Sequence, residues 1–574
     1  MATSGALRAF FTPTDPSLTH ILQESASTTP PSTKLVCTIG SACNSVETLS
    51  ELLEAGMTLA RFDLSYAPGD LAFHQTGYDN LQAAMQRTRK LCAAVMDTQG
   101  PEIVVLNWSG EPLQLSAGQT VTVTCDASAR ASASLLPISY PSLAGAGLQP
   151  GRSIFVGQYL FTGSETTSAY LTVQSVSEDG QSVDCVVGND CVLEGVQLTV
   201  HFGAMSNAAP ILSEQDKRSL STFGRANAID FLALSFTRCA DDLAQARAYL
   251  DGAGLRSTKI IAKIENREGL LNCREIIAAA DSVILSRGSM GNCLDPEKMF
   301  IAQKMLLSEC NYAGVPVYVT RVVDTMTDAP RPTRAEATDV ANLVLDGADG
   351  IVLGSETFRG KFPVAAAETV LAITREAESC FDSYRYYQHV TDRMGLNSLD
   401  ALMNDKTEAL ATAAVRAATK LRAALIVVMT VTGRTARLIA KYRPHQPILT
   451  VIVPGITSDG LKWSCSGDYA ARQSLQLRGV LPICADASIG RPDGAVLSAA
   501  LRVAAERGLT RPGDRVVVSQ CPRVTQRWGD TMSEAGVVKI LSLGADGVTT
   551  REATATIDSA GHVVESREED EDLV

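Results

Sequence analysis

Eight short apolar segments, most of them followed by a stretch with helical periodicity, constrain the fold more than any other feature of this chain. In order they read KLVCTI, TLARFDL, CAAVMD, IDFLALSF, KIIAKIE, SVILS, PVYVT and GIVLG. Strands that are apolar almost throughout are typical of parallel sheets, because helices cover both of their faces. Eight such strands therefore predict an α/β protein with a closed (β/α)8 TIM barrel, and a doubly wound open sheet is the alternative.

A long insertion interrupts this rhythm between the third and the fourth strand, where more than 100 residues intervene. Over 104–205 polar and apolar residues alternate, as in LTVQSVSEDGQSVDCVVG, and Gly and Ser punctuate the pattern. Such alternation is typical of half-buried strands joined by short turns. We therefore expect an inserted small β-barrel domain at 104–205 and a TIM barrel built from 34–103 and 206–380.

A different pattern begins after about residue 380. The segment DKTEALATAAVRAATKL predicts an Ala-rich helix, and AALIVVMT, PILTVIV, DRVVVSQ and VVKILSL predict buried strands. These segments predict a separate C-terminal α/β domain over 381–563. At the ends of the chain we expect an N-terminal arm at 1–33, rich in Ser, Thr and Pro and faintly similar to a transit peptide, and a disordered acidic tail at 564–574.

Charge and composition exclude several classes of function. The net charge is -13, whereas binding to nucleic acids or anionic membranes needs a dense basic surface. No apolar run approaches the roughly 20 residues of a membrane-spanning helix. The 14 cysteines show no zinc-ligand spacing and predict reduced thiols. We therefore expect a cytoplasmic protein without nucleic-acid or membrane partners.

Two glycine-containing turns have the pattern of anion sites. In SRGSMG, at 286–291, a turn follows an apolar strand and precedes a helix, so that the backbone amides of Gly288 and Ser289 can receive an anion. It contains no carboxylate for a metal ion. The loop MTVTGRTAR at 429–437 also follows a strand and begins a helix, and simple N-capping is the alternative there. The candidate phosphate-binding residues of that loop are Thr430, Thr432, Gly433, Arg434 and Thr435.

Several longer strings, in order over roughly 34–450, resemble the pyruvate kinase family. They are CTIG, DTQGPEI, KIENREG, DPEKMFIAQKM, PRPTRAEATDVANLVLDGADGIVL and TGRTARLIAKYRP, and the last looks most like the effector domain of trypanosomatid pyruvate kinases. The resemblance implies a glycolytic phosphotransferase that makes pyruvate and ATP from phosphoenolpyruvate and ADP. It also implies Mg²⁺ (or Mn²⁺) and K⁺ as cofactors, a homotetramer, an inserted domain that acts as a lid, and a C-terminal domain that binds a sugar-phosphate effector.

The resemblance also implies roles for individual residues, although a structural ion pair is the alternative for Lys263 and Glu265. Lys263 would steady the transferring phosphoryl group, Arg61 would contact phosphate, and Thr320 would lie near the proton-transfer step. Glu265 would bind the divalent metal ion. The monovalent-cation residues would be Asp63, Ser65, Asp97 and Thr98, with Glu102 associated with potassium dependence.

At several positions the chain departs from the family pattern. The metal-binding aspartate of the family is Ser289 here, and a family asparagine is Asp63. Further departures are Tyr66 for a histidine, Gln99 for a lysine, Val104 for an arginine, and VGQY at 156–159 for an acidic turn of the lid. Candidates for a second effector loop are Arg523 and Trp528.

We expect Ser289 to weaken binding of the divalent ion and Asp63 to move the monovalent cation. Gln99 and Val104 remove two positive charges that would face phosphates. The resulting hypothesis is a catalytically impaired paralogue, a pseudoenzyme with a structural or regulatory role in a homo- or hetero-oligomer or in a larger assembly, for example a cytoskeletal one. The alternatives are an active pyruvate kinase with altered metal dependence and a sensor of sugar phosphates.

Overall fold

The structure is a computed structural model, and it describes part of the chain. The described residues are 30–566 apart from 66–70, 108, 141, 144–147, 158–167, 194–196, 203–208, 292, 398–405, 459–462, 486–494, 521–535, 548–549, 553 and 558–562. They form two compact units, 35–373 and a second unit that combines 374–574 with 1–34. Tyr66, Tyr159, Arg523, Trp528 and the tail from 567 onward lie outside the described residues.

The first unit opens with three parallel strands and two helices. The strands are β1 (Lys34–Thr38), β2 (Leu59–Asp63) and β3 (Ala93–Asp97), and the helices are α1 (Val46–Ala55) and α2 (Leu71–Thr88). In α1 the residues Leu49, Leu52 and Leu53 are buried, and the Ser45 hydroxyl caps the helix by accepting from the Thr48 amide. The helix ends at Gly56, whose φ of 126° favours glycine. A serine cap and a glycine therefore define the two ends of this helix.

The insertion is an antiparallel β domain, apart from one parallel pair. Its strands are β4 (Val104–Leu106), β5 (Leu113–Leu115), β6 (Thr120–Thr124), β7 (Leu135–Pro137), β8 (Ser153–Gly157), β9 (Ser168–Val176), β10 (Ser182–Val187), β11 (Cys191–Leu193) and β12 (Gln197–Phe202). One sheet has the order β4-β12-β8-β9-β10-β6-β7, in which β6 and β7 are parallel, and β11 pairs with β5. Every second residue of β10 is buried, which confirms the alternation expected for this segment.

The chain then completes the barrel. Five strands follow, β13 (Phe231–Leu234), β14 (Lys259–Ile264), β15 (Ser282–Leu285), β16 (Val317–Thr320) and β17 (Gly350–Leu353). The helices are α3 (Glu214–Ser219), α4 (Ala240–Gly252), α5 (Arg267–Leu271), α6 (Cys273–Ala279), α7 (Arg287–Gly291), α8 (Pro296–Ala313), α9 (Arg334–Asp346), α10 (Ser355–Phe358) and α11 (Pro363–Ser379), with single π and 3₁₀ turns at Leu220–Gly224 and Asp324–Thr327. The eight strands close in the order β1-β17-β16-β15-β14-β13-β3-β2. The TIM-barrel prediction is confirmed, and the open-sheet alternative is wrong.

The register of the barrel places polar residues side by side at the carboxyl ends of its strands. Asp63 at the end of β2 pairs with Asp97 at the end of β3. Lys263 lies one residue before the end of β14, and Thr320 is the last residue of β16. Because the chemistry of this fold occurs at the carboxyl face of the barrel, these side chains are positioned for a common site.

The second unit contains a mixed sheet with helices. The helices are α12 (Ser383–Asn397), α13 (Lys406–Leu421), α14 (Arg434–Lys441), α15 (Asp468–Ser474) and α16 (Ala495–Glu506). The strands are β18 (Leu425–Thr430), β19 (Ile448–Ile452), β20 (Gly455–Ser458), β21 (Trp463–Ser466), β22 (Val480–Cys484), β23 (Arg515–Gln520), β24 (Val537–Leu543), β25 (Thr550–Glu552), β26 (Thr554–Ile557) and β27 (Val563–Ser566). The main sheet has the order β22-β19-β18-β23-β24-β25, and its first four strands are parallel. The α/β assignment of this part is confirmed.

The last residues of the predicted arm are bound within the second unit. The amides of Ser32 and Thr33 donate to the two carboxylate oxygens of Glu378 at 2.9 Å and 2.7 Å. The Lys34 ammonium donates to the Val480 carbonyl at 2.8 Å. Twelve cysteines are free thiols: Cys37, Cys43, Cys92, Cys125, Cys185, Cys191, Cys239, Cys273, Cys293, Cys310, Cys380 and Cys484. Among the described residues, no helix has the length and apolarity needed to cross a membrane.

Candidate active site

Two cations, the half-buried Arg61 and the buried Lys263, share one aspartate at the carboxyl face of the barrel. Arg61 Nε lies 2.5 Å from Asp97 Oδ2, and Lys263 Nζ lies 3.0 Å from Asp97 Oδ1. Burial alone would raise the pKa of Asp97, but the two cations hold it below its ordinary value. Burial opposes the charge on Lys263, but Asp97 and Glu265 raise its pKa above the ordinary value. Both positive charges are therefore present at neutral pH.

Asp63 adds a second carboxylate to this network. Its Oδ2 lies 2.7 Å from Arg61 Nη2, and its Oδ1 accepts from the Ser65 amide at 3.0 Å. Asp63 is buried, so this ion pair is shielded from solvent. The extra charge relative to the family asparagine therefore lies against Arg61.

Glu265 is held by three different groups. The Phe236 amide donates to Oε2 at 2.8 Å, Lys263 Nζ lies 3.5 Å from Oε1, and the Ser289 hydroxyl lies 3.3 Å from Oε1. Phe236 has a φ of 55°, which is uncommon for an aromatic residue and brings its amide toward the carboxylate. The predicted ion pair of Lys263 and Glu265 is present, and Ser289 lies beside the carboxylate.

The SRGSMG turn is part of the short helix α7. Gly288 and Ser289 lie in its single turn, directly after β15, and the Ser289 side chain is buried. Arg287 binds the end of the neighbouring strand, because its amide donates to Thr320 Oγ1 at 3.2 Å and its Nε to the Thr320 carbonyl at 2.9 Å. Arg287 also forms a 2.7 Å ion pair with Asp339. The turn therefore connects Ser289, which lies beside Glu265, to Thr320.

Thr320 lies at the last position of β16 and pairs with Val352 of β17, which fixes its place in the barrel. The next residue, Arg321, has a φ of 62°. Beyond β17, Glu356 is buried, and burial together with the charge of Asp324 raises its pKa to about 7. The role of Thr320 near the proton-transfer step stays a prediction, and Glu356 was not identified from the sequence.

Glu102 stands close to the other carboxylates of this face. Burial, followed by the charges of Glu265 and Asp63, raises the pKa of Glu102 to about 8. A carboxyl group whose pKa is raised by neighbouring carboxylates lies in a region of negative potential. That potential favours a bound cation.

Ser235 is a site residue that sequence reasoning missed. Its Oγ accepts from Lys263 Nζ at 2.8 Å and lies 3.1 Å from Asp97 Oδ1. Its amide donates to Thr98 Oγ1 at 3.0 Å, so the hydroxyl of Thr98 faces β13. The position of Ser235, directly after the apolar run IDFLAL, was the available signal.

The donor set fits hard cations, which prefer oxygen ligands. The described residues contain no group of three metal-ligating side chains, whereas Mg²⁺ sites often combine one or two carboxylates with substrate oxygens. Glu265 with the adjacent Ser289 hydroxyl fits such a site. Burial and then the charges of Glu265 and Asp63 raise the pKa of Glu102, and a bound cation would offset those two charges.

The substituted family positions that are described have structural partners. The backbone amide of Gln99 donates to Asp216 Oδ1 at 3.0 Å. Val104 begins β4, and its backbone amide donates to the Ser139 hydroxyl at 3.0 Å. Val156 lies in β8 and is buried. These contacts explain the fold of the segments but supply no positive charge to the site.

The candidate effector loop lies at the carboxyl end of β18 in the second unit. Gly433 has a φ of 78°, and its amide donates to Thr430 Oγ1 at 3.2 Å. Thr435 Oγ1 is buried and has no hydrogen-bond partner among the described residues. Helix α14 begins at Arg434, so that its first amides are directed toward Thr432 and the loop. The geometry is that of an anion cradle.

Comparisons with known proteins agree with this architecture. The family described as "Pyruvate kinase, barrel domain" matches residues 30–367, and "Pyruvate kinase, alpha/beta domain" matches residues 408–532. The chain is 46% identical over 520 residues to "Pyruvate kinase 2, cytosolic" of Oryza sativa, which covers 90% of this chain and 95% of the relative. It is 40% identical over 493 residues to "Pyruvate kinase, cytosolic isozyme" of Glycine max, covering 85% and 93%.

Solved structures give the same result. A pyruvate kinase from Cryptosporidium parvum superposes with a TM-score of 0.76 at 32% identity, covering 89% of this chain and 96% of that one. A structure of Cryptosporidium parvum pyruvate kinase in complex with ADP has a TM-score of 0.76 at 31% identity, covering 91% and 98%. With both domains matched and its barrel network in place, the chain belongs to the pyruvate kinase family.

Proposed function

We propose that the protein is an active pyruvate kinase that transfers the phosphoryl group of phosphoenolpyruvate to ADP. The observation that carries the proposal is the shared ion pairing of Arg61 and Lys263 with Asp97, which holds two cations at the carboxyl face of the barrel. The 46% identity to a relative named as a cytosolic pyruvate kinase supports it. The match to a pyruvate kinase in complex with ADP supports the nucleotide assignment.

The chemistry requires positioning and charge neutralisation. The bond between phosphorus and the enol oxygen breaks, a new bond forms from phosphorus to a terminal oxygen of ADP, and the enolate carbon takes up a proton to give pyruvate. Lys263 and Arg61 offset the charge of the phosphoryl group during this transfer. Their fixed partners reduce the reorganisation needed at the moment of reaction.

Cations would complete the charge balance. Glu265, assisted by the Ser289 hydroxyl, would hold Mg²⁺ or Mn²⁺, and Gly288 and Ser289 would offer amides to the substrate anion. A divalent ion bound there supplies Lewis-acid neutralisation of the phosphoryl oxygens. The monovalent cation K⁺ would lie among Asp63, Ser65, Asp97 and Thr98. Thr320, which binds Arg287 through its hydroxyl and its carbonyl, would lie near the enolate when the carbon takes up its proton.

A second candidate follows from Ser289. A hydroxyl carries no charge, so the divalent ion keeps one neighbouring carboxylate, Glu265, at that position. A catalytically weakened paralogue with a regulatory role in a hetero-oligomer, or in a larger assembly such as a cytoskeletal one, would show the same geometry. Sugar-phosphate binding by the Thr430–Thr435 loop is compatible with either function, because the two sites use different residues.

A coupled assay for pyruvate formation separates the two candidates. We expect turnover with Mg²⁺ or Mn²⁺ in the presence of K⁺, at a higher divalent-ion concentration than a two-carboxylate site requires. Turnover that stays absent at saturating phosphoenolpyruvate, ADP and both cations would refute the proposal and leave the regulatory paralogue. A cytosolic location is proposed with it, on the basis of relatives named as cytosolic enzymes.

A further inference from the structure

The second unit contains a cavity of about 530 Å³ that none of the sites above uses. Its walls include residues 423–424 just before β18, 443–447 just before β19 and 478–479 just before β22. These strands are parallel, so the cavity lies at the amino edge of the sheet. The Thr430–Thr435 loop follows the carboxyl end of β18. The cavity and the loop therefore lie at opposite edges of one sheet.

Two buried arginines are held in the cavity wall by aromatic rings. The Arg478 guanidinium lies 5.1 Å from the centre of the Phe381 ring, and that of Arg443 lies 5.5 Å from the centre of the Tyr386 ring. The two rings are themselves 5.5 Å apart. Cation–π contacts orient an arginine without neutralising its charge. The rings therefore orient both guanidinium groups in the cavity wall.

Positive charge exceeds negative charge around this cavity. Lys34 and Arg375 also line it, and the acidic residues in its wall are Glu376 and Glu378. Glu378 is already engaged by the amides of Ser32 and Thr33 and by the Thr33 hydroxyl at 2.6 Å. Its distance to Arg478 Nη2 is 3.9 Å, at the limit of an ion pair. Because Glu376 is exposed to solvent, the interior of the cavity favours an anion.

Two further atoms in the cavity wall lack a hydrogen-bond partner among the described residues. They are Nε of Arg375, a donor, and Oε1 of Gln446, an acceptor, and both atoms are buried. Gln446 Nε2 donates to the Ala418 carbonyl at 3.3 Å, so the other end of the amide presents an oxygen. Buried polar atoms are nearly always paired in folded proteins. A ligand that satisfies both atoms needs an anionic acceptor and a hydroxyl donor.

We propose that this cavity binds a small hydroxylated phosphate ester, with its phosphate against Arg375, Arg443 and Arg478 and a hydroxyl donating to Gln446. The volume lies within the range of roughly 300–1,000 Å³ that is usual for small-molecule sites. A free amino acid fits less well, because its ammonium group would face the arginines while Glu378 is committed to residues 32–33. An apolar ligand would leave Arg375 Nε and Gln446 Oε1 without hydrogen-bond partners among the described residues.

Isothermal titration calorimetry of the full chain tests the proposal, with glucose 6-phosphate, glucose and inorganic phosphate as probes. The titrations use an Arg434→Gln background, which weakens the loop at the opposite sheet edge so that binding there is not counted. We expect saturable binding of glucose 6-phosphate but not of glucose in this background. Adding Arg375→Gln should weaken it at least about tenfold, since a charge-assisted contact is lost.

Gln446→Leu supplies an independent readout. It should weaken the binding of glucose 6-phosphate and leave the binding of inorganic phosphate unchanged. Far-ultraviolet circular dichroism and the melting temperature without ligand verify that each variant is folded. If Arg375→Gln does not fold, Arg375→Lys replaces it, since it keeps the charge but loses Nε. Loss of all binding in the Arg434→Gln background, or equal affinity with and without Arg375, would overturn the proposal. Neither readout depends on catalytic activity.

Discussion

The Ser289 hydroxyl lies 3.3 Å from Glu265 Oε1, the same carboxylate oxygen that lies 3.5 Å from the Lys263 ammonium. The family pattern has an aspartate at the position of Ser289. The contact between Ser289 and Glu265 therefore replaces a pair of carboxylates by one carboxylate and a hydroxyl. The neutral hydroxyl adds no negative charge beside Glu265 Oε1, and the other carboxylate in contact with Lys263 is that of Asp97. The divalent ion is therefore the component whose binding we expect to be most altered.

Replacing Ser289 by Asp should restore a second carboxylate beside Glu265. Two close carboxylates repel each other without a cation and attract a divalent ion strongly. We expect the half-saturating Mg²⁺ concentration in the pyruvate-formation assay to fall about tenfold, which corresponds to ~1.4 kcal/mol. The control is Ser289→Asn, which has the shape of Asp without its charge. An unchanged Mg²⁺ dependence in the Asp variant would show that Ser289 does not face the divalent ion.

Replacing Lys263 by Met should abolish most activity. The ammonium is shared among Asp97, Glu265 and Ser235, so its loss leaves buried carboxylates with less compensation. We expect kcat to fall roughly 100- to 1000-fold, as for removal of a preorganised charge-stabilising group, together with a lower melting temperature. The control is Lys361→Met, because the Lys361–Asp328 ion pair is exposed and contributes little. Retention of kcat in Lys263→Met would exclude Lys263 from phosphoryl transfer.

The sequence was sufficient for the barrel, because strands buried on both faces leave a strong apolar signal. It was less sufficient for the second unit, because strand β22 (VLPIC) was not predicted from the sequence. Pro482 lies within that strand, and proline is tolerated there because β22 is at the edge of the sheet. Edge position is a property of the assembled sheet and leaves no local signal.

The candidate site could be predicted as a set of positions but not as a network. Motif resemblance located Arg61, Lys263 and Glu265, and strand ends bring them together. The contribution of Phe236 depends on a left-handed backbone, and that of Arg287 depends on the end of a strand 33 residues away; a motif encodes neither. The pairing of Asp63 with Arg61 likewise follows from side-chain geometry within one strand.

Replacing Asp63 by Asn tests whether the additional charge serves the monovalent cation. If Asp63 is a ligand, removing its charge weakens K⁺ binding, and the half-saturating K⁺ concentration should rise several-fold, in line with one lost charge contact of about 1 kcal/mol. The measurement is pyruvate formation as a function of K⁺ at fixed Mg²⁺ and constant ionic strength. A lower half-saturating K⁺ concentration in the variant would mean that Asp63, paired with Arg61, hinders binding of the cation.

Replacing Glu102 by Gln should flatten the pH dependence of stability in the cation-free protein. The pKa of Glu102 is raised to about 8 in the folded state by burial and by Glu265 and Asp63. Between the ordinary carboxyl pKa and about 8, the folded protein therefore holds a proton that the unfolded chain has released. The free energy of unfolding then falls as pH rises through this window, and this contribution becomes constant above it.

Urea unfolding in EDTA at several pH values from 5.5 to 8.5 measures this slope. We expect the wild type to lose stability as pH rises and Glu102→Gln to lose less over the same interval. Glu111→Gln, which removes an exposed carboxylate of the neighbouring insertion, serves as the control and should keep the wild-type slope. Added Mg²⁺ should reduce the difference between wild type and Glu102→Gln, because a cation that offsets Glu265 removes one cause of the raised pKa. Equal slopes in wild type and Glu102→Gln would show that the pKa of Glu102 in the folded protein is that of an ordinary carboxyl group.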